Sequence, residues 1–158
     1  MKYFSVDIGS RNVGLAIAKI SDTEKTLVGA KSIYLEPKAI QDRMPILLNE
    51  MKRLIDTHKP EHIILELPFL RGQNLHDVYF CTGLIYLLSG EYKLPISKIT
   101  ATEAKKLVTN SGKASKEDME LAVRKFYNLT TSYSFDADHS SDAASFPIAH
   151  FLKSGATV

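Results

Sequence analysis

The run His62-Ile63-Ile64-Leu65-Glu66-Leu67 constrains the fold more than any other stretch of the chain. Its centre is continuously apolar rather than alternating, the pattern of a strand covered on both faces. A chain holding such a strand needs helices above and below a sheet. Glu66 is the anomaly in the run, because a charge on a buried strand is rare unless it is paired or coordinated. Pro68 then ends the strand.

The rest of the chain supplies the partners. Residues 2–7, 13–20 and 26–35 read as strands with short links, which predicts an antiparallel meander. A helix is expected through the forties and fifties, where Met44, Leu47, Leu48, Met51, Leu54 and Ile55 recur at helical spacing. Pro45 is expected in its first turn, where a missing N–H costs little. Further elements follow: a helix over 74–89, a strand from Pro95 to Thr100 and a helix over 101–109. After the loop Thr109 to Lys113 comes a helix over about 115–128, with Ser115 as N-cap and Asp118 at the capping-box position. A last helix holds Asp142 and runs to about Leu152. The expected fold class is α/β, with a five-stranded mixed sheet of one three-strand meander plus two parallel strands, flanked by helices on both faces. With 158 residues and 44% hydrophobic content, residues 1–158 read as one domain with a real core.

Two of the acidic residues fall at strand ends. Asp7 closes the first strand and opens the run Asp7-Ile8-Gly9-Ser10-Arg11-Asn12-Val13-Gly14. Gly9 and Gly14 are read there as granting backbone conformations that a Cβ would forbid. Such a turn can cradle a phosphate, hold a metal through its Asp, or simply join a hairpin. In a mixed sheet the ends of the Asp7 and Glu66 strands can lie side by side, where ligands gather in open α/β sheets. The third component is Phe135-Asp136-Ala137-Asp138-His139-Ser140-Ser141-Asp142-Ala143-Ala144. On a helix, His139 and Asp142 share a face at i, i+3, and Asp138 and Asp142 share one at i, i+4. Three carboxylates and an imidazole suit Mg²⁺ or Mn²⁺, and two such ions can drive phosphodiester hydrolysis. Asp136 and Asp138 serve equally well as helix caps.

Charge alone decides little, since the formal net charge is +2. The basic residues are clustered, at Lys52-Arg53, Lys105-Lys106, Lys113 with Lys116, and Arg124-Lys125. Local patches matter more than the total when phosphates are the target. The single cysteine, Cys81, excludes an internal disulfide framework and reads as buried, in keeping with a reducing interior. The first residues form neither a signal peptide nor a spanning segment, so no membrane role is expected.

Taken in order, these motifs resemble the RuvC-type Holliday junction resolvases, of the compact kind found in bacteria and some of their phages. The resemblance implies an RNase H-like fold with four metal-binding residues. Asp7 in Asp-Ile-Gly-Ser-Arg, Glu66, and Asp142 in Asp-Ala-Ala match three of them, and His139 stands where the family places the fourth. Asp138 then has another expected task, as a cap or as acceptor for the His139 ring N–H. Phe69 matches an aromatic wedge, on a loop that also carries Arg71. Lys105 and Lys116, eleven residues apart, match two basic residues at the scissile phosphate, with Lys113 beside them. The implied activity is a Mg²⁺-dependent crossover-junction endonuclease, with Mn²⁺ able to substitute. It would act on branched DNA such as four-way junctions, as a cytoplasmic homodimer without a nucleotide cofactor. The alternatives are a YqgF-like nuclease acting on RNA and a non-catalytic branched-DNA-binding module. An actin-like or sugar-kinase nucleotide site also opens with Asp-x-Gly, but no second phosphate loop appears. Two departures bear on junction selectivity. The loop Asn110 to Lys113 holds a single glycine, and Pro147 falls inside the last helix, freeing the Ala143 carbonyl and predicting a kink.

Overall fold

The computed structural model describes residues 1–67 and 75–155. The chain forms β1 (Lys2–Ile8), β2 (Asn12–Ile20), β3 (Lys25–Tyr34), α1 (Ile40–His58), β4 (His62–Glu66), α2 (Leu75–Tyr92), β5 (Ile96–Ile99), α3 (Ala101–Thr109), α4 (Lys116–Phe126) and α5 (Asp138–Lys153). The five strands make one sheet in the order β3-β2-β1-β4-β5. β1 pairs antiparallel with β2, and β2 with β3, while β1–β4 and β4–β5 are parallel. This is the expected mixed sheet. No helix among the described residues is long and apolar enough to cross a membrane.

Strand alternation sorts the side chains onto two faces. Phe4, Val6, Ile8, Ile63 and Leu65 meet Leu47, Met51 and Ile55 of α1 and Cys81, Ile85 and Leu88 of α2. Tyr3, Ala16, Ala18 and Ile64 meet Val123 of α4 and Ala143, Phe146 and Ala149 of α5. By the same alternation Asp7 and Glu66 point to the second face, towards α5. Val6 is registered with Leu65 across the parallel β1–β4 pair, so Asp7 and Glu66 are the next residues on adjacent strands.

α5 lies unusually close to the sheet, and small residues allow it. A Cβ on Gly14 would sit 1.9 Å from the His139 carbonyl oxygen and 3.2 Å from the Ala143 Cβ. Gly14 is therefore required for close approach rather than for backbone freedom; neither it nor Gly9 adopts positive φ. At Gly9 a Cβ would meet the Asn12 carbonyl oxygen at 2.5 Å, because the turn is closed by a 2.9 Å bond from Gly9 N–H to that oxygen.

Two prolines sit inside helices. Pro45 lies in the second turn of α1, not the first. Pro147 stands within α5, which still runs as one helix to Lys153. The carbonyl that Pro147 leaves free, on Ala143, accepts a 2.6 Å hydrogen bond from the buried Ser5 hydroxyl of β1. A helix defect is thereby converted into a tie between α5 and the strand that carries Asp7. The capping box at Ser115 and Asp118 forms as the sequence predicts.

Ser5→Ala leaves the Ala143 carbonyl buried without its donor, which should cost about 1–3 kcal/mol. Pro147→Ala returns a backbone N–H to that carbonyl. Ser5→Ala should therefore cost clearly less in the Pro147→Ala background than in the wild type, as measured by denaturant unfolding. Equal costs in both backgrounds would show that the hydroxyl acts elsewhere.

Candidate active site

The acidic site forms where β1, β4 and the first turns of α5 converge. Strand register brings Asp7 beside Glu66, and the close seating of α5 on Gly14 lowers His139 and Asp142 onto them. His139 Nδ1 lies 2.7 Å from Asp7 Oδ2. Asp7 is buried, while Glu66, His139 and Asp142 are half-buried. Three serines of α5 face inward without competing for the site. Ser140, Ser141 and Ser145 each bond to a carbonyl of their own chain segment, those of Ala137, Asp138 and Asp142.

Burial, more than neighbouring charge, sets the electrostatics of Glu66 and Asp142. Burial raises the Glu66 carboxyl far above its usual range, and a hydrogen bond to Asp7 and the charges of Asp7 and Asp142 push the same way. Burial, then the charge on Asp7, brings Asp142 to about 6. His139 is raised chiefly by its hydrogen bond to Asp7, with burial opposing. Among the described residues no three of these donors are gathered tightly about one point. Instead the His139 ring nitrogen meets the Asp7 carboxylate directly.

Lys116, at the start of α4, reaches the rim of this cluster. Its ammonium pairs with Asp138 at 2.6 Å, both groups being more than half exposed. Asp138 thus neither caps α5 nor accepts from the His139 ring; Asp7 takes the second of those tasks. Asp136 does not cap the helix either. Its carboxylate accepts the Ser32 N–H of β3 at 2.9 and 3.0 Å from its two oxygens. Lys105 is half-buried on α3, and Lys113 is exposed in the loop before α4. Phe69 and Arg71 lie outside the described residues.

One feature of the neighbourhood escaped the sequence reading. Arg43 of α1 is 2% exposed. It donates through Nη1 to the Ser10 carbonyl, in the turn after Asp7, and through Nη2 to Asp77 in the first turn of α2. The signal was available in the pattern: Arg43 precedes Leu47, and Asp77 precedes Cys81, by four residues on the core stripes of their helices.

Known proteins resemble the chain in sequence and in fold. The profile of the family described as crossover junction endodeoxyribonuclease RuvC matches residues 4–150. The chain belongs to the RuvC family. The RuvC of Pseudothermotoga lettingae is 32% identical over 133 residues, covering 82% of each chain. That of Carboxydothermus hydrogenoformans is 26% identical over 158 residues, covering 98% of each. Among solved structures, Thermus thermophilus RuvC matches with a TM-score of 0.85 at 20% identity, over 99% of this chain and 98% of that one. The same protein in complex with Holliday junction substrate matches at 0.83 and 18% identity, with the same coverage. The fold is the RNase H-like fold of the RuvC resolvases. The family is one of divalent-metal-dependent nucleases.

The protonation of the cluster has a measurable sign. Glu66, Asp142 and His139 all bind protons more tightly folded than unfolded, so their contribution to stability grows as pH falls. For Asp142 the window runs from about 6 down to its ordinary 3.8. Glu50 has the opposite sign: Arg53, and then Lys31, hold it at about 2, so its stabilisation is lost as pH falls from 4.5 through that value. With divalent cations chelated, the melting temperature should rise from neutral pH to a maximum near about pH 5. Glu66→Gln should be more stable than the wild type at neutral pH and show a smaller rise. A profile flat above pH 5 in both proteins would show that the clustered charge costs no stability.

Proposed function

We propose that the chain is one RNase H-like nuclease domain that resolves four-way DNA junctions by metal-dependent phosphodiester hydrolysis. The observation that carries this reading is the placement of Asp7 and Glu66 side by side on adjacent strand ends, facing His139 and Asp142 on α5. The donor set fits a divalent cation. Its carboxylates are short of positive charge, as their raised proton affinities record, and hard oxygen donors with one imidazole suit Mg²⁺ or Mn²⁺. Asp7, Glu66, His139 and Asp142 would hold it. Such ions, when bound, activate water and stabilise the leaving oxygen in phosphodiester hydrolysis.

The protein's own residues have the remaining tasks. Rigid strand ends fix Asp7 and Glu66 before substrate arrives. His139 must shed its proton to act as a ligand. Lys116 offers an exposed ammonium at the rim, a point charge suited to a phosphate whose charge is growing. Its pair with Asp138 is solvent-exposed and costs little to exchange for a phosphate. Lys105 and Lys113 would meet the DNA backbone on either side, and Phe69 and Arg71 the junction itself.

A two-fold dimer suits a substrate with two symmetric strands to cut. The support lies on α2, where Tyr79, Phe80, Tyr86 and Leu87 form an exposed apolar stripe. Gly83 and Gly90 lie in the same stripe, with open space where a Cβ would be. A second copy packing its own α2 there would cover both. In a bacterium, or in a phage's host, the cytoplasm is where such a substrate would be met.

The test is cleavage of labelled four-way, three-way and linear DNA, and of a four-way RNA, with and without Mg²⁺. Cutting should be confined to the four-way DNA and depend on the metal. Asp7→Asn, Glu66→Gln and Asp142→Asn should each lower the rate by more than about a hundredfold while junction binding persists. His139→Ala should lose most activity, His139→Asp should keep it with a preference shifted towards Mg²⁺, and Asp138→Asn should be mild. Lys116→Ala should reduce the rate more than the affinity. Cutting of RNA alone, or binding without any cutting, would replace this reading.

A further inference from the structure

Arg43 is the most deeply buried charge among the described residues. A guanidinium in such a place is costly unless paired, and even a paired one adds little net stability compared with an apolar side chain of the same size. What a buried ion pair can supply is a single fixed arrangement of the segments that it joins. Here those segments are three. Arg43 is the fourth residue of α1 and points onto the core face, its Nη1 holds the Ser10 carbonyl, and its Nη2 holds Asp77. Its Nε is buried and has no partner among the described residues, where the side chain is held by these two contacts and the packing around it.

The Ser10 carbonyl belongs to the tight turn that follows Asp7. That turn is already closed by Gly9 N–H to Asn12 O, and it is anchored outside by the Arg11 carbonyl, which accepts from Leu35 N–H at 2.7 Å. Arg43 adds the inner anchor. Asp77 sits in the first turn of α2, the helix whose outer stripe is apolar and exposed. One guanidinium therefore spans from the turn beside the acidic site to the helix proposed for self-association.

We propose that Arg43 is a positioning residue for cleavage, with Asp77 as its partner. By holding the Ser10 turn against α2, it fixes the Asp7 carboxylate relative to the helix that meets the second copy. It touches neither substrate nor the reacting atoms. The inference rests on the nuclease reading above and adds to it a link between the site and the α2 face.

The test uses the full chain and the variants Arg43→Met, Arg43→Lys and Asp77→Asn. Four quantities are measured: melting temperature, Mn²⁺ affinity of the DNA-free protein by electron paramagnetic resonance, four-way junction affinity without divalent metal, and single-turnover cleavage at saturating protein. Arg43→Met should lower the cleavage rate by about tenfold to a hundredfold and weaken Mn²⁺ binding, as loss of an outer support does. Junction affinity should stay within about twofold of the wild type, since no phosphate contact is removed. Arg43→Lys, which can serve one partner but not both, should fall between, and so should Asp77→Asn, which leaves the Ser10 contact in place. A folded Arg43→Met with wild-type rate and Mn²⁺ affinity would overturn the proposal. So would junction affinity falling as far as the rate, which would make Arg43 a DNA contact. If Arg43→Met is unfolded at the assay temperature, Asp77→Asn decides, and a wild-type rate in that variant overturns the proposal. If the wild type cuts no junction while Arg43→Met still weakens Mn²⁺ binding, the nuclease reading fails, the role in cleavage falls with it, and only the hold of Arg43 on the acidic cluster stands.

Discussion

Everything in the site depends on how closely one helix can approach one strand. α5 crosses β2 at Gly14, with the His139 carbonyl where a side chain would otherwise stand. Gly14 is paired with Asp7 across the β1–β2 ladder. The glycine that admits the helix is thus directly opposite the carboxylate that the helix must reach. Ala16 and Ala18 continue the low surface along β2, and Ala143, Ala144 and Ala149 present matching small side chains from α5. With larger residues on either side, the imidazole and carboxylate of α5 would stand off from the strand ends by the thickness of a side chain. Packing, not hydrogen bonding, sets the distance on which the chemistry relies.

The same closeness stores unfavourable charge. Burial, and then mutual repulsion, raise Asp142 to about 6 and Glu66 further. A chain selected for stability alone would place amides there. The carboxylates persist at some cost to the fold, which is what a site built to receive positive charge looks like before it does so. The surrounding structure offsets the cost with contacts that do nothing chemical, such as the Ser5 hydroxyl on the Ala143 carbonyl and the Tyr127 hydroxyl on that of Ala144.

Much of this was legible in the sequence, for physical reasons. The apolar centre of β4 demanded cover on both faces, and the meander and helices followed from period alone. His139 and Asp142 could be placed on one face of a helix because the helical repeat is invariant. What could not be read was anything that depends on two distant segments touching. Gly14 looked like a residue for a turn, whereas its role is to leave room for α5. Asp138 looked like a cap and instead meets Lys116, 22 residues earlier in the chain. Pro45 falls in the second turn rather than the first because α1 already starts at Ile40, upstream of the apolar stripe that marks it. The role of Arg43 is illegible in the sequence because a charge within an apolar stripe carries no meaning until its partners, Ser10 and Asp77, are beside it.

The carboxylate of Asp136 has a consequence beyond the loop that it anchors. β3 is the outer strand of the sheet, and its outward N–H groups are an open template for another strand. Asp136 occupies the one at Ser32 with both oxygens. A charged group seated on the edge at this point blocks the in-register approach of a second chain, and it comes from the segment that leads into α5. The segment that delivers the site helix thus also guards the sheet against cross-chain zippering. A chain in which α5 has not yet docked leaves its longest edge strand uncovered, so the period before docking is when this protein is most exposed to aggregation.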